Sequence, residues 1–392
     1  MTIETLFVWL LFFALGYLLL TSAIFIRNRI ELTTLNVLKS ELETDTKISV
    51  CIPARNEENT LPHLLKSLLD QKGIEFDVHV LNDQSEDSTG EILSSFQKSY
   101  PDKLFVHEGK PKPGEWHGKP WACQQLGKLA TGDIILFLDA DTTLYPGALK
   151  KISTNFSYYN LDMLTAWPEQ VLGTFWEKTV IPLIYYGLNT ILPSIYVYRK
   201  PKWMPSFVYK QFKSSFAAAN GQCIGFKKSA YLQMGGHSTV KKEIVEDVQL
   251  AKEAKSRGLT LRMFNGAGTV MCRMYQSNSD MFNGLRKNFL AGFGNSLILF
   301  LFSALLHFVV FLLPIAGLFW ALINGNPLIF FFSTACIVLV LLHRLILSHW
   351  FRWDPIYAFT HPIGVLWFQY LGIIKVFDYL TGKKISWKGR GV

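Results

Sequence analysis

The chain has 392 residues, and its 39 basic and 30 acidic side chains give a formal net charge of +9. Only 18% of the residues are charged, whereas 49% are hydrophobic and 14% are aromatic. The apolar residues are concentrated in a few stretches, which excludes a disordered tail protein, a disulfide scaffold and an ordinary soluble enzyme, and predicts membrane segments. The basic residues are scattered, so we expect lipid headgroups and a phosphate-bearing substrate as partners, and no nucleic acid.

The first apolar stretch predicts an N-terminal membrane anchor at residues 1–30. Residues 6–26 carry no charge and are long enough, at about 1.5 Å per residue, to cross a bilayer core of about 30 Å. A signal peptide is the alternative, but it would need a basic residue before the run and a small-residue cleavage site after it. Arg27 and Arg29 follow the run instead, which predicts an outside N-terminus and a cytoplasmic basic flank.

The C-terminal part is predicted to hold transmembrane or re-entrant segments over residues 295–377. Two full spans are expected at 296–323 and 328–349. A weaker third stretch at 356–377 contains His361 and Pro362 and is either a span or a re-entrant segment. If it spans, the basic tail at 378–392 lies outside, against the positive-inside tendency.

An aromatic, proline-containing stretch at residues 171–203 is predicted to lie in the lipid headgroup layer, where Trp and Tyr are enriched. A buried aromatic core helix is the alternative. The five cysteines lie far apart without a CxxC pair, so we interpret them as reduced packing residues.

Between residues 47 and 160, short apolar runs alternate with helical patterns. Strands are predicted at 48–52, 78–81, 104–106 and 133–138, which indicates a parallel sheet covered on both faces. Ligands of such sheets bind at the carboxyl ends of the strands. Polar residues follow the predicted strands there: Arg55, Glu57, Asp83, Asp139 and Asp141. The last two carboxylates are suited to a hard cation such as Mg²⁺ or Mn²⁺, which would neutralise charge on a leaving diphosphate.

Four ordered segments, at residues 49–58, 118–142, 219–224 and 235–251, resemble the family 2 inverting glycosyltransferases with a GT-A fold. The resemblance covers roughly residues 47–290. Together with the membrane segments, the chain is similar to the lipid-modifying branch, which includes ceramide, hopanoid and bacterial carotenoid-acid glycosyltransferases. The ending at residues 385–390 also resembles tails of that bacterial group. The resemblance implies an α/β fold: a GT-A, Rossmann-like mixed sheet domain at residues 45–290, flanked by transmembrane helices.

The resemblance also implies roles for single residues. Those matching substrate-binding positions of the family are Ala54, Arg55, Asn56, Glu57, Asp83, Lys119, Asp139, Gly221, Gln222 and Glu246. Asp139 and Asp141 match the metal-binding pair, with Asp141 as the direct ligand, and Asp247 matches the catalytic base. The chain departs from many members in having Asn82 before Asp83 where they have two aspartates.

The role of Asp247 agrees with the chemistry of the transfer. A carboxylate within hydrogen-bond reach can take the proton of an acceptor hydroxyl as the sugar bond breaks, which gives a single displacement with inversion. A carboxylic acid acceptor is already ionised near neutral pH, and Asp247 would then orient it. Three other candidate site residues have structural alternatives. Glu57 could be a first-turn helix acid, Asp83 a turn residue, and Glu246 an N-terminal charge on a predicted helix at 247–257.

The sequence therefore predicts a multi-pass plasma-membrane enzyme with a cytoplasmic catalytic domain. It would transfer a hexose from a UDP-sugar, with Mg²⁺ or Mn²⁺, to a carotenoid acid, a hopanoid or a sphingolipid-like lipid. The alternatives are a processive polysaccharide synthase, a polyprenyl-phosphate glycosyltransferase and a non-catalytic lipid-binding scaffold. Processive members carry a Gln-x-x-Arg-Trp motif; here Gln276 is present without the Arg and Trp, which favours transfer of a single sugar. Arg286 is expected to reach the diphosphate or a lipid headgroup. The sequence does not determine the oligomeric state.

Overall fold

The chain folds into two compact units. The sheet unit comprises Glu31–Val171 and Ser194–Met274, and the helical unit comprises Met1–Ile30, Leu172–Pro193 and Tyr275–Val392. The computed structural model describes residues 2–36, 46–243, 245–290, 293–294, 296–381, 386–387 and 390–391. Part of the predicted basic tail (382–385, 388–389 and 392), including Lys383, Lys384 and Lys388, lies outside the described residues.

The helices and strands follow in chain order. The helices are α1 Ile3–Glu31, α2 Leu61–Leu69, α3 Thr89–Ser99, α4 Gly118–Leu129, α5 Ala148–Tyr158, α6 Phe175–Ile191, α7 Ile195–Tyr198, α8 Ser206–Phe212, α9 Lys228–Met234, α10 Glu246–Ser256, α11 Asn278–Asn288, α12 Leu297–His307, α13 Leu313–Asn324, α14 Pro327–Phe351 and α15 His361–Thr381. The strands are β1 Ile48–Ala54, β2 Phe76–Asn82, β3 Leu104–Glu108, β4 Ile134–Leu138, β5 Thr142–Leu144, β6 Met163–Trp167, β7 Glu169–Gln170, β8 Cys223–Lys227, β9 Leu261–Asn265, β10 Val270–Cys272, β11 Ser386–Trp387 and β12 Arg390–Gly391.

The sheet unit is built on a seven-stranded mixed sheet with the order β3-β2-β1-β4-β8-β6-β9. The four strands predicted from the sequence are β1 to β4, and they pair in parallel, which confirms that part of the prediction. β8 runs antiparallel to both β4 and β6, and it makes the sheet mixed. A second sheet of three short strands has the order β5-β10-β7.

The strands β1 and β4 are apolar on both faces, because helices cover both sides of the sheet. Val50, Ile52 and Leu136 are fully buried in this core. On α2 the buried leucines recur at positions 61, 64, 65, 68 and 69, the spacing of one helical face. This core holds the carboxyl ends of the parallel strands at one edge of the sheet.

The helical unit contains four helices that are long and apolar enough to cross a membrane: Glu4–Glu31, Leu297–Asn324, Pro327–Phe351 and His361–Thr381. The stretch predicted as weak is an uninterrupted helix from His361, because Pro362 occupies its first turn, where a missing N–H costs nothing. Large apolar side chains on these helices, such as Ile298 (82%) and Ile323 (83%), are exposed, as hydrocarbon-facing residues would be. The direction in which each helix crosses stays a prediction.

The aromatic stretch at 171–203 is divided between the two units. Its first part forms α6, which begins with a capping box between Thr174 and Glu177. Tyr185 and Tyr186 of this helix are buried within the helical unit, as in the core-helix alternative. Placement of the stretch in the headgroup layer stays a prediction.

Two further expectations concern single residues of the fold. All five cysteines are buried and free, as expected for packing residues. The guanidinium of Arg286 forms a two-bond ion pair with the buried carboxylate of Asp378, and its contact with a diphosphate or a lipid headgroup stays a prediction. That pair links α11 to α15 inside the helical unit.

Candidate active site

The loops that follow β1 and β2 are joined by Arg55. Its Nη1 donates to the backbone oxygens of Asp83 (2.8 Å) and Gln84 (2.9 Å). The Asp83 N–H in turn donates to the backbone oxygen of Ala54 at 2.8 Å. The structure thus brings together Ala54, Arg55 and Asp83, three of the residues predicted for nucleotide binding. The guanidinium of Arg55 is engaged in holding this double loop.

Asn56 and Glu57 complete the double loop. Asn56 has a left-handed backbone (φ 53°), and its Oδ1 accepts from the Glu86 N–H at 2.8 Å. Glu57 Oε2 accepts from the Thr60 hydroxyl at 2.8 Å, just ahead of α2. The same carboxylate lies close enough to Asp139 and Asp141 to raise the pKa of both. Glu57 therefore links the loop after β1 to the carboxylates after β4.

Asp139 and Asp141 follow β4 directly, as the sequence predicted. Burial, with the nearby charge of Asp139 and Glu57, raises the pKa of Asp141 to about 7. Its Oδ1 is buried without a hydrogen-bond partner among the described residues. Burial also raises the pKa of Asp139, although Lys119 opposes the shift. Two neighbouring carboxyl groups with raised pKa values favour the binding of a cation, because its charge offsets the repulsion between the two carboxylates.

Lys119, in the first turn of α4, lies between two carboxylates. Its Nζ is 2.7 Å from Asp139 Oδ1 and 3.1 Å from Glu246 Oε1. Burial opposes its charge, but these two carboxylates outweigh that effect and hold the pKa of Lys119 well above its usual value. Burial acts to raise the pKa of Glu246, but the charge of Lys119, together with hydrogen bonds to the carboxylate and nearby His237, lowers it overall. Lys119 is therefore a fixed positive charge that still has 38% of its side chain exposed.

Asp247 lies in the first turn of α10, one residue beyond Glu246. Its Oδ2 accepts from the Gly221 N–H and its Oδ1 from the Val248 N–H, both at 2.8 Å. Burial and the charge of Glu246 raise the pKa of Asp247 to about 6, against the opposing effects of Lys119 and the two N–H groups. The result is an oriented carboxylate whose pKa lies close to neutral pH.

Gly221 and Gln222, both predicted to line the acceptor side, have different surroundings. Gly221 lies beside the reactive groups, since an added Cβ would be 3.2 Å from Lys119 Nζ and 3.4 Å from Asp247. Gln222 is 3% exposed, and its amide connects Gln170 (2.9 Å) to Cys272 Sγ (2.7 Å). Its side chain therefore supports the site from below, and acceptor contact by Gln222 stays a prediction.

Lys119, Asp139, Gly221, Glu246 and Asp247 line one small cavity of about 300 Å³, including its open mouth. Its other wall consists of residues that the sequence did not indicate: Pro53, Cys123, Phe137, Ile224, His237 and Leu250. These residues lie on strands and helices that belong to the recognised motifs. Their positions on those elements are the signal that could have identified them.

His237 is buried, although it follows two glycines, a pattern typical of an exposed loop. It is 3% exposed, and its Nδ1 is 2.7 Å from the Tyr231 hydroxyl. Burial lowers its pKa to about 3. His237 is therefore a neutral wall residue near neutral pH.

The chemistry of the site follows from these groups. An oriented carboxylate (Asp247), a fixed cation (Lys119) and a carboxylate pair share one edge of the sheet. No cluster of three or more metal-ligating side chains occurs among the described residues. Mg²⁺, however, is often held by one or two carboxylates together with substrate phosphates. The partnerless oxygen of Asp141 fits such a shared site.

Comparison with known proteins agrees with this geometry. Residues 49–228 match the family described as glycosyl transferase family 2. The 4,4'-diaponeurosporenoate glycosyltransferase of Staphylococcus haemolyticus (strain JCSC1435) is 29% identical over 268 residues, which cover 65% of this chain and 64% of that protein. The protein of the same name from Staphylococcus aureus (strain USA300) is 28% identical over 277 residues, 69% of this chain and 66% of that protein. These matches span just under two thirds of each relative's length.

Among solved structures, the mannosyltransferase of Pyrobaculum calidifontis, in complex with GDP-Man and Mn²⁺, is similar with a TM-score of 0.51 and 15% identity. The similarity covers 97% of this chain and 100% of that one, and at this identity it concerns the fold. Residues 49–228 therefore match glycosyl transferase family 2, the mixed sheet has a GT-A-like fold, and the described part of the chain has four helices apolar enough to span a membrane.

Proposed function

We propose that the chain is an inverting hexosyltransferase that moves one sugar from a UDP-linked donor to a membrane lipid. One observation carries this proposal: the carboxylate of Asp247, fixed by two backbone N–H groups, shares a cavity with Lys119 and Asp139. A base, a cation and a metal-binding carboxylate are the groups that a single displacement at a sugar carbon requires.

Asp247 is suited to the acceptor side of the reaction. A general base is most effective when its pKa lies near the working pH, and the pKa of Asp247 is raised to about 6. For a hydroxyl acceptor it takes the proton as the bond to the sugar forms. For a carboxylate acceptor, which is already ionised, it orients the nucleophile, and its removal then costs less.

Asp139, Asp141 and Lys119 are suited to the donor side. Asp141, with Asp139, would hold Mg²⁺ or Mn²⁺, and the ion would supply positive charge to the leaving diphosphate. Lys119 keeps its ammonium next to Asp139 and adds a second positive charge to that side. The double loop containing Ala54, Arg55 and Asp83 is the proposed surface for the uridine.

The acceptor class rests on the relatives and on the helical unit. The staphylococcal relatives are named for 4,4'-diaponeurosporenoate, a carotenoid acid, and four helices of this chain can cross a membrane. We propose a lipid of that type as acceptor, and a multi-pass protein of the plasma membrane. A cytoplasmic catalytic domain is proposed because Arg27 and Arg29 lie at the end of α1.

The test uses membranes from cells that express the full chain. A panel of labelled nucleotide sugars is supplied, and label is counted in the organic-extractable and aqueous polymer fractions, with and without EDTA. We expect organic-phase label from a UDP-hexose, lost with EDTA and restored by Mg²⁺ or Mn²⁺. Label in the aqueous polymer would instead support a processive synthase. Transfer to an added polyprenyl phosphate would support a polyprenyl-phosphate glycosyltransferase. No transfer from any donor to extracted membrane lipids would contradict the proposal.

A further inference from the structure

The helical unit contains a large cavity that the chemistry described so far does not use. Its open volume, including the mouth, is about 890 Å³. The wall is mainly aromatic and includes Phe289, Phe293, Phe300, Phe311 and Phe368. Rings of this kind favour a long apolar chain over water.

One polar side chain of the wall has no partner. His361, at the start of α15, is 2% exposed, and neither of its ring nitrogens has a hydrogen-bond partner among the described residues. Its ring contacts those of Phe311 and Tyr186, with centroids at 4.9 and 5.1 Å. Leaving such a group buried and unpaired costs free energy, so the cavity presents a polar end to a ligand.

Three other polar side chains of the wall have partners. His307 Nδ1 lies 2.6 Å from the Ser303 backbone oxygen, and the Gln369 amide donates to the Ala304 backbone oxygen at 2.9 Å. The Thr190 hydroxyl donates to the Tyr186 backbone oxygen at 2.7 Å. Among the described wall residues, His361 is the one whose buried polar atoms lack a partner.

The charge near His361 favours an anion. Arg344 of α14 is 1% exposed and lies close enough to Tyr186 and His361 to interact with both electrostatically. Its Nη2 donates to the Tyr357 backbone oxygen at 3.1 Å, while its Nε and Nη1 have no partner within the described part of the chain. A buried cation among apolar helices is stabilised when a negative charge approaches it.

We propose that this cavity binds a long-chain carboxylic acid, with the chain along the phenylalanine wall and the carboxylate hydrogen-bonded to His361. The inference goes beyond the proposed function, because an acid held through its carboxylate at His361 has its reactive group occupied and is bound at a lipid site distinct from the transfer reaction. The site itself, and the class of ligand, follow from the cavity.

Gly187 provides a way to fill the cavity. It lies on α6 in the cavity wall, and an added Cβ would have no neighbour within 4 Å. Gly187→Leu should therefore occupy the space without displacing other residues. Gly16 is the matched control: it lies in α1, an added Cβ there also has no neighbour within 4 Å, and it is not part of the wall. Gly16→Leu makes the same exchange outside the cavity.

The experiment uses the full chain in lipid nanodiscs and a C16 fatty acid that carries a photoreactive diazirine. Adducts are mapped by mass spectrometry after illumination. In the wild type and in Gly16→Leu we expect adducts on wall residues such as Phe300, Ala304 and Val365, which excess unlabelled acid competes away and its methyl ester does not. Gly187→Leu should reduce this labelling about tenfold, which corresponds to about 1.4 kcal/mol of binding free energy. His361→Phe should reduce it, and His361→Gln should restore part of it.

Labelling that is equal in all variants, or that lies on outward-facing positions such as Ile298, would mean contact with bulk lipid and would overturn the proposal. Thermal unfolding of each variant checks that it folds, and Ala304→Leu replaces Gly187→Leu if the latter does not. The labelling needs no nucleotide sugar, so it remains decisive even if the wild type transfers no sugar.

Discussion

The Gly221 N–H donates to Oδ2 of Asp247 at 2.8 Å, which joins the loop before β8 to the first turn of α10. This bond fixes the carboxylate at the place where Lys119 and Asp139 also meet. The site thus depends on a backbone N–H that every residue except proline would keep at position 221, although a new side chain would add volume beside Asp247.

Asp247→Asn tests the proposed base. The amide keeps the size of the side chain but cannot take a proton, so we expect transfer to a hydroxyl lipid to fall about 100-fold or more, the usual contribution of a general base. Initial rates with saturating donor measure the effect. Glu253→Gln likewise replaces a carboxylate by an amide, elsewhere on α10, and should leave the rate unchanged. A loss of less than about threefold would point to an acceptor that is ionised before it binds.

The raised pKa of Asp247 predicts a pH dependence of activity. Because the base must be ionised, kcat/KM should fall as the pH drops through about 6 and should be constant at higher pH. A pH profile of the wild type, with metal and donor saturating, measures the midpoint. The residual activity of Asp247→Asn should lack this step. A profile of the variant with the same midpoint would assign the titration to another group.

The same shift predicts how stability depends on pH. The pKa of Asp247 is 3.8 in its ordinary state and about 6 in the fold, so the native state loses stability as the pH rises through this window. Asp247→Asn removes that loss. The unfolding temperature of the variant minus that of the wild type should therefore be larger at pH 7.5 than at pH 5. An equal difference at the two pH values would contradict the shifted pKa.

Lys119→Ala tests the fixed cation. Lys119 lowers the pKa of both Asp139 and Asp247, so its loss should move the acid limb of the pH profile upward by about one unit. It should also raise the KM for the donor. Lys128→Ala, on the last turn of the same helix, is the control. A Lys119→Ala variant with an unchanged midpoint would mean that Lys119 does not act on the base.

Gly221→Ala tests the close approach of backbone and site. The new methyl would be 3.2 Å from Lys119 Nζ and 3.4 Å from Asp247, so these groups must move by a few tenths of an ångström. We expect kcat/KM to fall about tenfold, because small displacements of reacting groups are costly. Gly114→Ala is the control, since a Cβ there meets nothing within 4 Å. Equal activity of the two variants would show that the site tolerates the shift.

Asp141→Asn tests the metal site. Titration of Mn²⁺ in the presence of UDP, followed by electron paramagnetic resonance, should give a Kd raised about tenfold or more, since a charged oxygen ligand is lost. Asp102→Asn, at an exposed position outside the site, should bind Mn²⁺ as the wild type does. Unchanged binding in Asp141→Asn would exclude Asp141 as a ligand.

The sequence predicted the parts of the fold that depend on local pattern. The strand ends at Ala54, Asn82 and Leu138 lie within two residues of expectation, because a buried apolar run ends where polar residues begin. The residues after those strands meet at one edge because parallel strands share their direction. The placement of β8 between β4 and β6 is not a local property of the sequence, and only the family resemblance implied a mixed sheet.

The local sequence pattern could not predict interactions between segments that are distant in the chain. Arg55 was expected to bind substrate, which stays a prediction, and the sequence did not indicate that its guanidinium donates to two carbonyl groups of the next loop. His237 follows two glycines, a sign of an exposed loop, yet the Tyr231 hydroxyl and the Phe137 ring cover it. Both outcomes depend on side chains that are far away in sequence, which no local periodicity records.

The position of β8 also sets the order in which the sheet can form during synthesis. β3, β2, β1 and β4 can pair as soon as Leu138 has left the ribosome, because all four strands precede that residue. β6 is synthesised soon afterwards, but in the described sheet it is connected to these strands by pairing with β8, which ends at Lys227. The nascent chain must therefore hold β6 unpaired while about 60 more residues are added, a delay that exposes an unpaired strand to misfolding. Chaperone binding, if it occurs, is expected in this interval.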